Sequence, residues 1–109
     1  LGGLGKKVPP AISGYIPDIA YQDISGEYKI IGEAKTSNDI NTNHTKLQIK
    51  AYLWRLYLQG DGLLLVSVPP GCETKMNKVL RAICREVESQ KIKYQTVSPM
   101  DRYGLGTWR

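Results

Sequence analysis

The chain is predicted to fold as an α/β domain with a central mixed sheet of about four strands flanked by helices. Three observations lead there. Apolar patterns along the 109 residues follow the order strand, strand, helix, strand, helix, strand. The two most apolar strand-like runs, 28–35 and 62–68, lie on either side of a helical pattern. A strongly amphipathic helix over 73–90 is followed by an alternating run over 91–97. At this length one domain is expected, with a modest core sufficient for independent folding, and no internal repeat or low-complexity segment interrupts it.

Residues 1–10, with Gly2, Gly3, Gly5, Pro9 and Pro10, lack periodicity and read as a loop or arm, as do residues 98–109, which return to Pro, Gly and charge. The core is therefore placed at about 14–97. Its first strand lies in Gly14-Tyr15-Ile16-Pro17-Asp18-Ile19-Ala20-Tyr21, where Asp18 opens an apolar, β-leaning run. The link 22–27 is short enough for a hairpin, and Ser25-Gly26 reads as its turn. The next strand is Tyr28-Lys29-Ile30-Ile31-Gly32-Glu33-Ala34-Lys35, whose β-branched Ile30 and Ile31 suit a half-buried pleat. Glu33 and Lys35 stand two residues apart, so a strand points both to one face.

Pairing these two strands head to tail brings Asp18, at the start of one, towards Glu33, at the end of the other. Two carboxylates that close repel and raise a pKa unless a cation sits between them. Two oxygen ligands plus water suit Mg²⁺ or Mn²⁺. Glu27-Tyr28-Lys29 and Glu73-Thr74-Lys75 repeat the acid-x-Lys spacing, but only Glu33 and Lys35 follow an apolar strand interior.

The polar stretch 36–43 is a loop at the mouth of this site, where Thr36 and Ser37 are able to donate to a phosphate. His44 stands alone beside the following helix and reads as a surface residue. From 44 or 45 to 59 the pattern is helical, with Leu47, Ala51, Trp54 and Leu58 at core-like spacing and Gly60 as a stop. Gln48, Tyr52 and Arg55 share another stripe. Thr45-Lys46-Leu47-Gln48 also has the form of a capping box, in which Gln48 would reach back to a free backbone N–H. Gly62 to Val68, closed by Pro69-Pro70-Gly71, reads as a central strand buried on both faces. In the helix over 73–90, Met76, Val79, Leu80, Ile83, Cys84 and Val87 form the apolar face. Lys75, Lys78, Arg81 and Arg85 lie outside it, as a solvated back or a DNA-tracking surface. Ile92, Tyr94 and Thr96 suit an edge strand, and Trp108 in the tail is able to pack back or to stack on a base.

Net charge is +5, with six basic and five acidic groups in residues 1–50 and nine and five in 51–109. A moderate positive field favours a polyanionic partner. Cys72 and Cys84 have no zinc-site spacing and read as reduced. No apolar run is long enough to span a membrane and no secretory leader is evident, so a soluble, cytoplasmic protein is expected.

Pro17-Asp18 followed by Glu33-Ala34-Lys35 resembles the signature of the PD-(D/E)xK nuclease superfamily. Gln48 with Tyr52 resembles the Q-x-x-x-Y element that follows the lysine strand in RecB-like nucleases, and a glutamine recurs at a similar place in the VRR-NUC branch. The element order over 14–97 is similar to the restriction endonuclease-like core. The resemblance implies a Mg²⁺-dependent (or Mn²⁺-dependent) deoxyribonuclease, endonuclease or resolvase-like, acting on DNA as a homodimer or as one component of a larger nucleic-acid processing protein. It implies that Asp18, Glu33 and the Ala34 carbonyl hold the metal, that Lys35 assists the attacking water, and that Gln48 fixes water or phosphate. Thr36, Ser37, Tyr52, Arg55, Lys75 and Lys78 are the expected nucleic-acid contacts. Relatives usually carry a helix before the first catalytic strand, often with another acid. No Asp or Glu precedes Asp18 here, so either that helix lies outside the given chain or two acids suffice. The competing expectation is a nuclease fold kept as a nucleic-acid binding or assembly module without catalysis.

Overall fold

A computed structural model of the chain describes residues 11–87 and 92–98. The expected order of elements is present: β1 (Ile19–Gln22), β2 (Tyr28–Ala34), α1 (Asn43–Gln59), β3 (Leu63–Ser67), α2 (Glu73–Glu86) and β4 (Lys93–Val97). The sheet order is β1-β2-β3-β4, with β1 antiparallel to β2 and the other two pairings parallel, so the sheet is mixed. Among the described residues no helix is long and apolar enough to cross a membrane.

Local chemistry explains the joints. In the β1–β2 turn one Asp23 carboxylate oxygen accepts from the Ser25 and Glu27 N–H groups and from the Ser25 hydroxyl, while Gly26 takes the left-handed φ of 91° that the turn requires. The Gln59 side chain pins the end of α1 to the start of β2, accepting from the Tyr28 N–H at 2.8 Å and donating to the Tyr28 carbonyl. Gly60 then closes the helix at φ 103°, its N–H donating to the Leu56 and Tyr57 carbonyls.

Both helices lie on one face of the sheet and pack on each other. Ile31, Leu64 and Val66 of the sheet meet Ile49, Leu53 and Leu56 of α1 and Met76, Leu80 and Ile83 of α2 in one buried cluster. Burying each such Leu or Ile contributes about 1.5–3 kcal/mol before chain entropy is subtracted. The apolar face expected for the second helix is present, with Cys84 half-buried against the cluster and Cys72 also free and half-buried.

Three expectations are corrected. First, Leu47, Trp54 and Leu58 are exposed rather than core, at 57%, 46% and 66% of their full surface, and Ala51 is half-buried. The helix carries two apolar stripes. Only the one through Ile49, Leu53 and Leu56 can face the sheet once Gln59 and Gly60 fix its rotation. Second, β3 is not buried on both faces. Leu64 and Val66 are covered by the helices, whereas Leu63, Leu65 and Ser67 are half-buried on the other side. Third, the helix begins earlier than the Thr45 capping box implies. Thr42 is the N-cap and its hydroxyl accepts from the Thr45 N–H at 3.1 Å, so Gln48 has no capping role. Residues 1–10, the 88–90 part of the expected second helix, and the tail with Trp108 lie outside the described residues.

Candidate active site

The hairpin register sets Ile19 opposite Gly32, which brings Asp18 beside Glu33 and Ala34. The exposed Asp18 carboxylate accepts from the Ala34 N–H at 2.8 Å. In return the Asp18 N–H donates to Glu33 Oε1 at 3.3 Å. Glu33 lies opposite Val66, so its side chain enters the helix-covered side of the sheet, where the residue is 9% exposed. Strand pairing runs one residue past β2, since the Lys35 N–H donates to the Ser67 carbonyl at 2.8 Å. That carries Lys35 to the same side as Glu33. Its ammonium lies 3.9 Å from Glu33 Oε2, and both side chains are only 8% exposed.

From α1, Gln48 and Tyr52 meet this pair, one turn apart on one helical stripe. The Lys35 ammonium donates to Gln48 Oε1, Gln48 Nε2 donates to the Tyr52 hydroxyl at 3.2 Å, and Tyr52 donates to Glu33 Oε1 at 3.2 Å. The four side chains thus close a circuit with one direction. An ammonium only donates and a carboxylate only accepts, so the amide and phenol between them are oriented.

Burial, and secondarily the Asp18 charge, push the Glu33 carboxyl above its ordinary value, against the pull of Lys35, the Asp18 N–H and Tyr52. Burial, with the Glu33 charge beside it, also raises the Tyr52 phenol, which keeps it a donor at neutral pH. A raised carboxyl means that ionising Glu33 costs the folded state. The cost is absent below the unfolded glutamate value of 4.5 and grows as pH rises through the higher folded value. The stability of Glu33→Gln relative to the native chain, in EDTA, is therefore expected to rise from pH 4 to pH 7. Melting curves across that range check it, and a gap independent of pH would contradict the assignment.

Among the described residues no group of three or more His, Cys, Asp or Glu side chains gathers to hold a metal. Two carboxylates do gather, and their chemistry fits a hard divalent cation that keeps several waters. Asp18 Oδ1 accepts no hydrogen bond among the described residues, and Glu33 Oε2 accepts none but faces the Lys35 ammonium at 3.9 Å.

The remaining expected contacts are dispersed. The Thr36 hydroxyl is engaged with Asp39 Oδ2 at 2.9 Å within the loop, and Ser37 is exposed beside it. Tyr52, expected to meet nucleic acid, is fully buried and meets Glu33 instead. The Arg55 guanidinium lies 5.2 Å from the Tyr28 ring, at the opposite end of β2 from the carboxylates. Lys75 and Lys78 line a groove between α1 and α2 that none of Asp18, Glu33 or Lys35 enters. His44 is exposed, its ring edge-on to Tyr15. The competing acid-x-Lys pairs lie elsewhere, Lys29 facing Asp23 at 3.6 Å and Glu73 accepting from the Gly71 N–H.

One buried polar residue of α1 is not legible as such in sequence. Thr45 is fully buried one turn before Gln48, and its hydroxyl finds no partner among the described residues. Its i, i+3 relation to Gln48 was the available signal, masked by its resemblance to a cap. No known protein family, curated protein or solved structure matches this chain.

Proposed function

We propose that the protein is a metal-dependent nuclease of the PD-(D/E)xK kind, with a restriction endonuclease-like core, that hydrolyses phosphodiester bonds in DNA. The observation that carries this is the meeting of Asp18, Glu33, Lys35 and Gln48, from two strands and a helix, at one end of the β1–β2 hairpin. Asp18, Glu33 and the Ala34 carbonyl would hold Mg²⁺ or Mn²⁺. Such an ion supplies a water of lowered pKa and neutralises charge on the scissile phosphate.

The chain's own groups account for the rest. Lys35 offers a positive charge beside the carboxylates, in a place mostly shielded from water, where a fixed charge acts on developing negative charge with little reorganisation. Gln48 holds that ammonium in position by accepting from it, and Tyr52 holds the Glu33 carboxylate by donating to it. Asp18 is the exposed member, able to meet an arriving cation without uncovering the core.

The test is incubation of the full-length protein with plasmid, linear, single-stranded and branched DNA in Mg²⁺, Mn²⁺ or EDTA. Cleavage of at least one substrate with metal, and none in EDTA, is expected. DNA binding without cleavage of any substrate under every condition would favour a binding or assembly module, the reading that the small number of gathered carboxylates supports.

A further inference from the structure

The second apolar stripe of α1 remains without a partner among the described residues. Leu47, Ala51, Trp54 and Leu58 recur at helical spacing on the side turned away from the sheet. Leu47, Ala51 and Trp54 border grooves whose other wall is α2, through Val79, Ala82 and Val87. A contiguous apolar strip of this kind on a small domain marks a contact surface.

Charge says what kind of contact. Lys46, Lys50, Lys75 and Lys78 stand around the same groove, with Glu86 as the acid there among the described residues. Glu86 is already bonded to Lys50 at 2.8 Å, which holds its carboxyl below the ordinary glutamate range. Lys46, Lys75 and Lys78 face no carboxylate within ion-pair distance among the described residues. The rim is cationic and the floor apolar.

We propose that this groove docks an acidic amphipathic helix of a partner protein. Such a helix offers aliphatic side chains to Leu47, Ala51 and Trp54 and carboxylates to the lysines, the helix-in-groove mode with charges fixing its register. A second copy of this chain is the poorer occupant, because it brings net charge +5 and would set lysine rims against each other. Nucleic acid would satisfy the lysines but not the apolar floor, and the Trp54 indole is already stacked on Tyr57 with ring centroids 5.3 Å apart. The inference does not depend on the nuclease reading, since none of Asp18, Glu33, Lys35 or Gln48 lines the groove.

The probe is a dye-labelled 18-residue peptide with leucines at i, i+4 and i+7 and glutamates on the flanking positions, measured by anisotropy against a scrambled peptide of the same composition. The full chain is expected to bind the amphipathic peptide at least tenfold more tightly than the scrambled one. Leu47→Ser and Lys46→Glu, both at exposed positions, should each weaken binding about tenfold while circular dichroism and melting temperature hold. Equal binding of both peptides overturns the proposal. So does self-association that Leu47→Ser abolishes, which would make the occupant a second copy. Binding of a duplex oligonucleotide that Leu47→Ser weakens as much as it weakens the peptide would make the occupant nucleic acid, and overturns it too.

Discussion

Lys35→Ala and Glu33→Ala are each expected to abolish DNA cleavage while binding to the same DNA in EDTA stays within about tenfold, or roughly 1.4 kcal/mol. The two effects separate because these side chains are almost wholly inside the domain, 8% exposed each, and present little surface to a duplex. Under the proposed function, their contribution would fall on the reacting phosphate. Losing one preorganised charge or donor at such a centre costs on the order of 10²–10³-fold in rate, and losing a metal ligand should cost no less. Removing Lys35 also leaves Glu33 beside Asp18 without its counter-charge, so rates must be taken per folded molecule. Single-turnover cleavage with Mg²⁺ and anisotropy binding in EDTA decide the matter. Parallel loss of binding and cleavage would favour the non-catalytic module, and undiminished cleavage by Glu33→Ala would remove the nuclease assignment.

Gln48→Ala is expected to lower the single-turnover rate by about 10²-fold, on the order of 2.7 kcal/mol of transition-state stabilisation. This substitution opens the circuit at its middle: the Lys35 ammonium loses its acceptor and the Tyr52 hydroxyl loses its incoming donor. Among the described residues Lys35 then has no side-chain partner to aim it except Glu33 at 3.9 Å. Thr42→Ala is the matched control, because it removes the true N-cap of the same helix at a cost of about 1 kcal/mol without touching the circuit. Its melting temperature should fall and its rate per folded molecule stay normal. A normal rate in Gln48→Ala would take Gln48 out of the site.

Much of this arrangement is legible in sequence where local chemistry decides it. The Ile30-Ile31 run after Ser25-Gly26 marks β2 and its hairpin, and the two-residue spacing of Glu33 and Lys35 sets them on one side. Gln48 and Tyr52 are legible as a pair because helical spacing is local. That Gln48 takes its hydrogen bond from Lys35 and Tyr52 gives one to Glu33 is not, since both depend on how α1 rotates over β2. The same rotation decides between the two apolar stripes of α1, and periodicity weighs Leu47 and Trp54 no differently from Ile49 and Leu53. Thr42 and Thr45 are equally plausible caps by residue type. What separates them is the burial of Thr45, a property of the packed domain.

β1 is four residues long, hydrogen-bonds only to β2 in the sheet order, and is mostly exposed, whereas Glu33, Gln48 and Tyr52 are buried on the central strand β2 and on α1. Openings of an edge strand of this kind cost far less free energy than global unfolding. The two carboxylates are therefore held at different levels of the domain: Glu33 sits in the packed interior, while Asp18 adjoins an exposed edge strand, which is expected to open before the domain unfolds. A cation that bridged both carboxylates would then act as a fastener between the edge strand and the body of the sheet.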